Sequence, residues 1–310
     1  MSVTPRSFHL IAPSGYCHNQ QAAQRAVGRL QNQGHVVENT AVISRREQRF
    51  AGNDAERLAD LHQLIQPDCQ ADIVLVVRGG YGATRLLPHF DATALAARLA
   101  THPLAICGHS DFTAIQLALL QQGAITFSGP MLAGNFGAET LSDFTVDNFW
   151  RALTSPELTI EWQAERQIPQ IAVSGTVWGG NLAMLCSLIG TPWMPQIEDG
   201  ILVIEDVNEH PFRVERMLLQ LAQTGVLTRQ KAIVTGSFTG ATLTDYDHGY
   251  DFDSVWDLIH QLTGLPLVSG LKFGHHWHTV TLPLGAQGHL QVNGTHSTLT
   301  LSGHPTLPAV

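Results

Sequence analysis

The run ADIVLVV, residues 71–77, limits the possible folds more than any other stretch of the chain. It is apolar without alternation and rich in β-branched residues. Such a run suits a strand buried on both faces, and strands of that kind belong to parallel sheets covered by helices. A glycine-rich segment, RGGYGATRLL, follows at once, and then a second apolar run, PLAIC. Upstream, SFHLIA reads as a first strand, PSGYC as its loop and NQQAAQRAVGRLQNQG as a helix closed by Gly34. HVVENTAVI reads as another strand, and DAERLADLHQLIQ has the three-and-four apolar spacing of a helix. The β-α alternation predicts an α/β domain with an open parallel sheet of the Rossmann or flavodoxin-like kind, its site at the strand C-termini.

The rhythm changes near Phe149. RALTSPELTIEWQAERQIPQIAVSG, residues 151–175, is polar, carries two prolines and lacks a helical stripe, so a crossover linker is expected there. TVWGGNLAMLCSLIG reads as loop and helix, GILVIED as a buried strand, PFRVERMLLQLAQTG as a helix with Pro211 in its first turn, and KAIVTGSF as a strand. The tail from His278 is β-rich, with Asn293-Gly294 marking a tight hairpin. The expected organisation is an N-terminal α/β domain over 1–150, a linker over 151–175 and a mixed, β-rich domain over 176–310.

Composition removes several classes of function. With 44% hydrophobic and 14% charged residues, the 310-residue chain has ample core. A net charge of −9 disfavours nucleic acid, whose phosphates need clustered cations. No apolar run is long enough to span a bilayer, and the N-terminus shows no convincing signal peptide. Four scattered cysteines without CxxC pairing read as reduced, buried thiols, which suits the cytoplasm. No metal-ligand cluster or cofactor motif stands out.

The chemistry centres on LAICGHSDFTAIQLALLQQG, residues 104–123. Ser110 falls between strand and helix, where a sharp turn can expose a nucleophile beside helical N–H groups. The stretch departs from G-x-S-x-G, because Phe112 replaces the second glycine; a serine before a helix also serves as an N-cap. VVRGGYGATR fails both the dinucleotide and the phosphate-loop patterns. It remains either a turn or a backbone surface for close ligand approach. Glu205 and Asp206 end a strongly apolar strand, where an ionised carboxylate is expensive unless paired. Alternatively they cap the next segment. Among sixteen histidines, His275 and His276 follow a strand and a glycine, whereas His109 reads as a structural neighbour of Ser110.

Taken together, VRGGYGATRLLP, ICGHSDFTAI, TFSGPM, WGGNLAML, GTPWMP, ILVIEDVNEHPFRVERML and LKFGHHWHTVTLPLGA closely resemble the LD-carboxypeptidase family, from about residue 8 to about residue 304. The resemblance implies serine peptidases with a Ser-Glu-His triad: here Ser110, Glu205 and His275, with glycine followed at once by histidine favouring His275 over His276. It also implies an oxyanion hole from the backbone N–H groups of Gly80 and Asp111, a homodimer and no metal. The implied substrate is a muropeptide tetrapeptide, from which terminal D-alanine is released during cell-wall recycling. A carboxypeptidase must also hold a free carboxylate, for which Arg78, Arg85 and Arg213 are candidates, the last two reading more readily as solvated helix residues. Tyr81, Trp178 and Asn181 are candidate pocket residues, with core packing the competing reading for Trp178.

Three other functions compete. A related branch of the family confers immunity by cleaving a peptide-nucleotide antibiotic with the same triad. A two-lobed ligand-binding protein would have no use for the triad. A nucleotide-binding module fails both phosphate-loop patterns.

Overall fold

The computed structural model describes residues 4–308. Its first half contains β1 (Ser7–Ile11), α1 (Gln20–Asn32), β2 (Val36–Glu38), α2 (Asp54–Gln63), β3 (Ile73–Val76), α3 (Ala83–Leu86), α4 (Ala92–Thr101), β4 (Ala105–Gly108), α5 (Thr113–Leu120), β5 (Thr126–Ser128) and α6 (Asp143–Thr154). The second half contains β6 (Glu157–Asn181), α7 (Leu182–Ser187), β7 (Gly200–Val207), α8 (Pro211–Gln223), β8 (Gln230–Thr239), α9 (Phe252–Thr263), β9 (Leu267–Val268), β10 (Leu282–Leu284) and β11 (Gln287–Ser302).

The expected α/β architecture is present as two sheets. The first runs β10-β5-β4-β3-β1-β2, and its strands β1 to β5 are parallel. Its order around β1 and β3 is the flavodoxin-like one, which places a crevice where the loops after those strands diverge. The second runs β11-β6-β7-β8-β9, parallel except for the antiparallel β11–β6 pair. The antiparallel edge strand of the first sheet, β10, is contributed by the C-terminal half.

Every residue of β3 and β4 is buried, as the unalternating apolar runs require. Helix α5 is buried at all positions, which is the pattern of a helix enclosed by protein on every side. Two apolar clusters each join the sheets: one holds Leu75, Val177 and Ile201, the other Val76, Phe112, Leu117, Trp178 and Leu202. Removing a side chain such as Leu117 would cost about 2–5 kcal/mol.

Several local expectations differ from what forms. HVVENTAVI keeps only the three-residue β2; Asn39 then turns left-handed (φ 57°) and a 3-10 turn follows. The segment 151–175, expected as a linker, is the end of α6 and most of the 25-residue β6. Residues 176–181, expected as a loop, complete that strand. Asn293-Gly294 makes no hairpin: β11 passes through it with register shifts on either side of Gly294, a bulge in a continuous strand.

Candidate active site

Strand β4 ends at Gly108, and the backbone then bends sharply. His109 is extended (φ −151°), Ser110 is left-handed (φ 64°), and a 3-10 turn over Ser110–Phe112 leads into α5. A non-glycine residue in that region costs of order 1 kcal/mol or more, and such strain concentrates at functional sites. Ser110 lies inside that turn, whose N-cap position is His109, and α5 is capped at Phe112, so helix capping does not account for the serine. The turn depends on the glycine loop beside it. A β-carbon at Gly79 would stand 2.7 Å from the Ser110 β-carbon and 2.8 Å from its Oγ. Only a bare backbone lets the loop lie this close.

From the opposite sheet, β7 carries Glu205, fully buried, and the loop after β9 carries His275. Ser110 Oγ lies 3.0 Å from His275 Nε2, and His275 Nδ1 lies 2.7 Å from Glu205 Oε2. A carboxylate only accepts, so Nδ1 carries the proton and Nε2 presents its lone pair to the serine hydroxyl. The same Glu205 oxygen accepts the His275 backbone N–H at 3.1 Å. A β-carbon at Gly274 (φ 96°) would fall 2.3 Å from Glu205, which explains the glycine immediately before the histidine. His276 is exposed and turned to its own loop, its Nδ1 within 3.1 Å of the His278 backbone N–H.

The electrostatics follow from burial and pairing. Burial works against ionising Glu205, but the hydrogen bond and charge of His275 outweigh it and hold the carboxyl below its usual range. Burial likewise disfavours the His275 imidazolium, and Glu205 outweighs it, raising His275 above the ordinary imidazole value. His109 behaves oppositely: burial first, and the neighbouring His275 charge second, lower it to about 4. Its Nδ1–H donates to the Gly129 carbonyl at 2.8 Å, and its ring meets His275 edge-on, centroids 4.9 Å apart. His109, expected as a structural neighbour of Ser110, is a neutral wall against the imidazole.

A cavity of about 520 Å³ opens over these groups, lined by Ser110, His275, His109, Arg78, Gly80 and Trp277 among others. Arg78 and Gly80 therefore lie at the site. Tyr81 is largely exposed and lines an adjoining cavity. The Asp111 side chain is buried and accepts the Ala83 N–H at 2.8 Å, tying the serine turn to α3, and burial raises its carboxyl. Two expected pocket residues are elsewhere. Trp178 is fully buried in the core, its indole N–H donating to Gln230. Asn181 is also buried, and its amide nitrogen donates to both Glu205 (3.2 Å) and Asp206 (3.0 Å). It is a support for the carboxylates, not a pocket wall. Arg85 pairs with Asp54, and Arg213 lies on α8 beside Glu209; neither lines the cavity.

Arg46 and Arg49, not among the expected site residues, line the adjoining cavity with Arg78. The signal was available: SRREQR places three arginines within five residues of an otherwise acidic chain.

Two α/β sheets joined through shared apolar packing, with a serine from one and a histidine–carboxylate pair from the other, define the architectural class. The chain belongs to the LD-carboxypeptidase family: that family's N-terminal domain matches residues 8–129 and its C-terminal domain residues 174–290. It is thus a peptidase of the carboxypeptidase kind. A muramoyltetrapeptide carboxypeptidase from Oxalobacter formigenes superposes with a TM-score of 0.90 at 43% identity, covering 97% of this chain and all 100% of that one. A Bacillus subtilis (strain 168) relative named "Probable murein peptide carboxypeptidase" is 31% identical over 241 residues, 77% of this chain and 74% of the relative. The microcin C7 self-immunity protein MccF of Escherichia coli is 28% identical over 301 residues, 85% of this chain and 83% of MccF.

Proposed function

We propose that this protein is a serine-type LD-carboxypeptidase acting on muropeptide tetrapeptide, releasing the terminal D-alanine next to the L-centre of meso-diaminopimelate. The observation that carries the reading is the hydrogen-bonded line Ser110–His275–Glu205, with the serine on a strained turn facing a cavity. The similarity to the Oxalobacter formigenes enzyme supports the substrate class.

Ser110 Oγ attacks the scissile carbonyl carbon while His275 Nε2 takes its proton. Glu205 fixes the imidazole tautomer and favours the imidazolium that forms. The backbone N–H groups of Gly80 and Asp111 are assigned to the developing oxyanion, as the family resemblance implies. His275 then returns the proton to the leaving amine, D-alanine departs, and an ester to Ser110 remains. Water attacks that ester with His275 again as base, regenerating the hydroxyl. His109 stays neutral while His275 cycles, adding no second charge beside it.

The test is D-alanine release from L-Ala-γ-D-Glu-meso-diaminopimelyl-D-Ala by the wild type and by Ser110→Ala. The expected result is a fall of at least ~10⁴-fold in the variant, with unfolding stability within about 1 kcal/mol because no cap is lost. Equal release by both proteins would remove Ser110 from the chemistry. Wild-type inactivity on the tetrapeptide, with cleavage of a peptide-nucleotide antibiotic, would move the substrate to that of the MccF-like branch.

A further inference from the structure

Arg78 and Gly80 line two cavities at once: the one over Ser110 and a smaller adjoining one of about 210 Å³. Arg46 and Arg49 reach the smaller one from the loop before α2. Among the described residues, none of these three guanidiniums lies within 4.0 Å of a carboxylate. Their neighbours are treated differently. Arg45 pairs with Asp60, and Arg57 and Arg85 both pair with Asp54. All three arginines facing this cavity are thus without a counter-ion, although the chain has 26 acidic residues against 17 basic ones.

They are also held in place. Arg78 Nη1 donates to the Tyr16 carbonyl at 2.9 Å, and Arg46 Nε donates to the Gln48 carbonyl at 3.0 Å. The Arg46 guanidinium lies 4.5 Å from the Tyr16 ring centre, and that of Arg49 lies 5.8 Å from the Tyr81 ring centre. Stacking of this kind orients a guanidinium without consuming its N–H donors, which stay free for an anion.

We infer that the arginine-walled cavity binds the free carboxylate of the substrate's terminal residue, and so restricts cleavage to a chain end. The inference rests on the peptidase reading of the adjoining cavity. Arg78 directly precedes Gly79, whose backbone lies against Ser110, and it lines both cavities, so an anion it holds adjoins the site of attack. A volume of about 210 Å³ takes one small residue with its carboxylate and leaves little room for a longer chain. An amide or a continuing peptide carries no charge there and would leave three cations unmatched. A carboxylate meets them with bidentate, charge-assisted hydrogen bonds.

The experiment compares kcat/KM for the tetrapeptide acid and for the same peptide ending in D-alaninamide. It uses the wild type, Arg49→Ala, Arg46→Ala, Arg78→Ala and Arg78→Lys. The wild type should prefer the acid by ~10²-fold or more, and each alanine variant should cut that preference by ~10-fold. Arg78→Lys should keep part of it. Variants that lower acid and amide in parallel, or leave the preference intact, overturn the assignment. If the wild type cleaves neither peptide, the substrate reading has failed on its own. The cavity is then tested by calorimetry with N-acetyl-D-alanine and N-acetyl-D-alaninamide. Binding of the acid alone, lost in Arg49→Ala, supports the assignment; equal binding of both, or of neither, overturns it.

Discussion

The serine turn and the histidine loop reach one cavity by different physical means. Ser110 is placed by backbone: a fully buried strand ends beside it, its own φ is 64°, and Gly79 leaves no β-carbon in its way. His275 is placed by side-chain hydrogen bonding: one buried Glu205 oxygen accepts both its ring N–H and its main-chain N–H. Asn181 and the glycine at 274 support that carboxylate in turn. The first half of the site is a matter of shape, the second of charge. They should therefore fail under different substitutions and respond differently to pH.

The sharpest separation should come from Glu205→Gln. The fold keeps its volume, but the imidazole loses the partner that fixes its tautomer, and kcat should fall by ~10³-fold or more. Steady-state kinetics would also locate the acid limb of the rate. His275 must be neutral to accept the serine proton. Because Glu205 raises it, the wild-type rate should climb with pH through a value above the ordinary imidazole range. In Glu205→Gln the residual limb should move to lower pH. A limb that stays put would mean another group titrates.

Gly79→Ala tests the shape half. The added carbon must displace Ser110, and a misplacement approaching 1 Å costs ~10²-fold in rate. The pH limb should stay where it is, since no charge has changed. A shifted limb would show that the two halves are not separable. Asn181→Ala should have the smallest effect, about 10-fold in kcat. The loss follows from removing the shared donor to Glu205 and Asp206, the latter already raised to about 6 by its burial. The Asn181 side chain also caps α7 by accepting the Met184 N–H, so about 1 kcal/mol of stability should go with it, measurable by denaturant unfolding.

The same contrast explains how much could be read from the sequence. The β-α alternation of the first half was legible because its strands are covered on both faces and carry unbroken apolar runs. Strand β6 was not. Through Thr176 it pairs only with β11, and much of its length is partly exposed, so it reads as polar on both faces. Pro169 fits there because that stretch has a free edge, where a missing N–H costs no ladder bond. In the candidate site, the residues that the resemblance marked as a triad came together. Their supports were illegible, because a buried asparagine or indole has the same letters whether it lines a pocket or braces a carboxylate. The arginine loop lies 29 residues or more before the glycine loop in sequence, and nothing local in SRREQR says which cavity it faces.

The origin of β10 has a consequence for the order in which a working site can exist. Residues 282–284 complete the first sheet, and His275 lies 165 residues after Ser110. At synthesis rates of about 5–20 residues per second, Ser110 leaves the ribosome roughly ten to thirty seconds before His275. During that interval Ser110 has neither its imidazole neighbour nor its sheet's closing strand. Under the proposed mechanism, a chain terminated before His275 therefore carries a serine but no means of activating it, and hydrolytic competence arrives only once both sheets have been made.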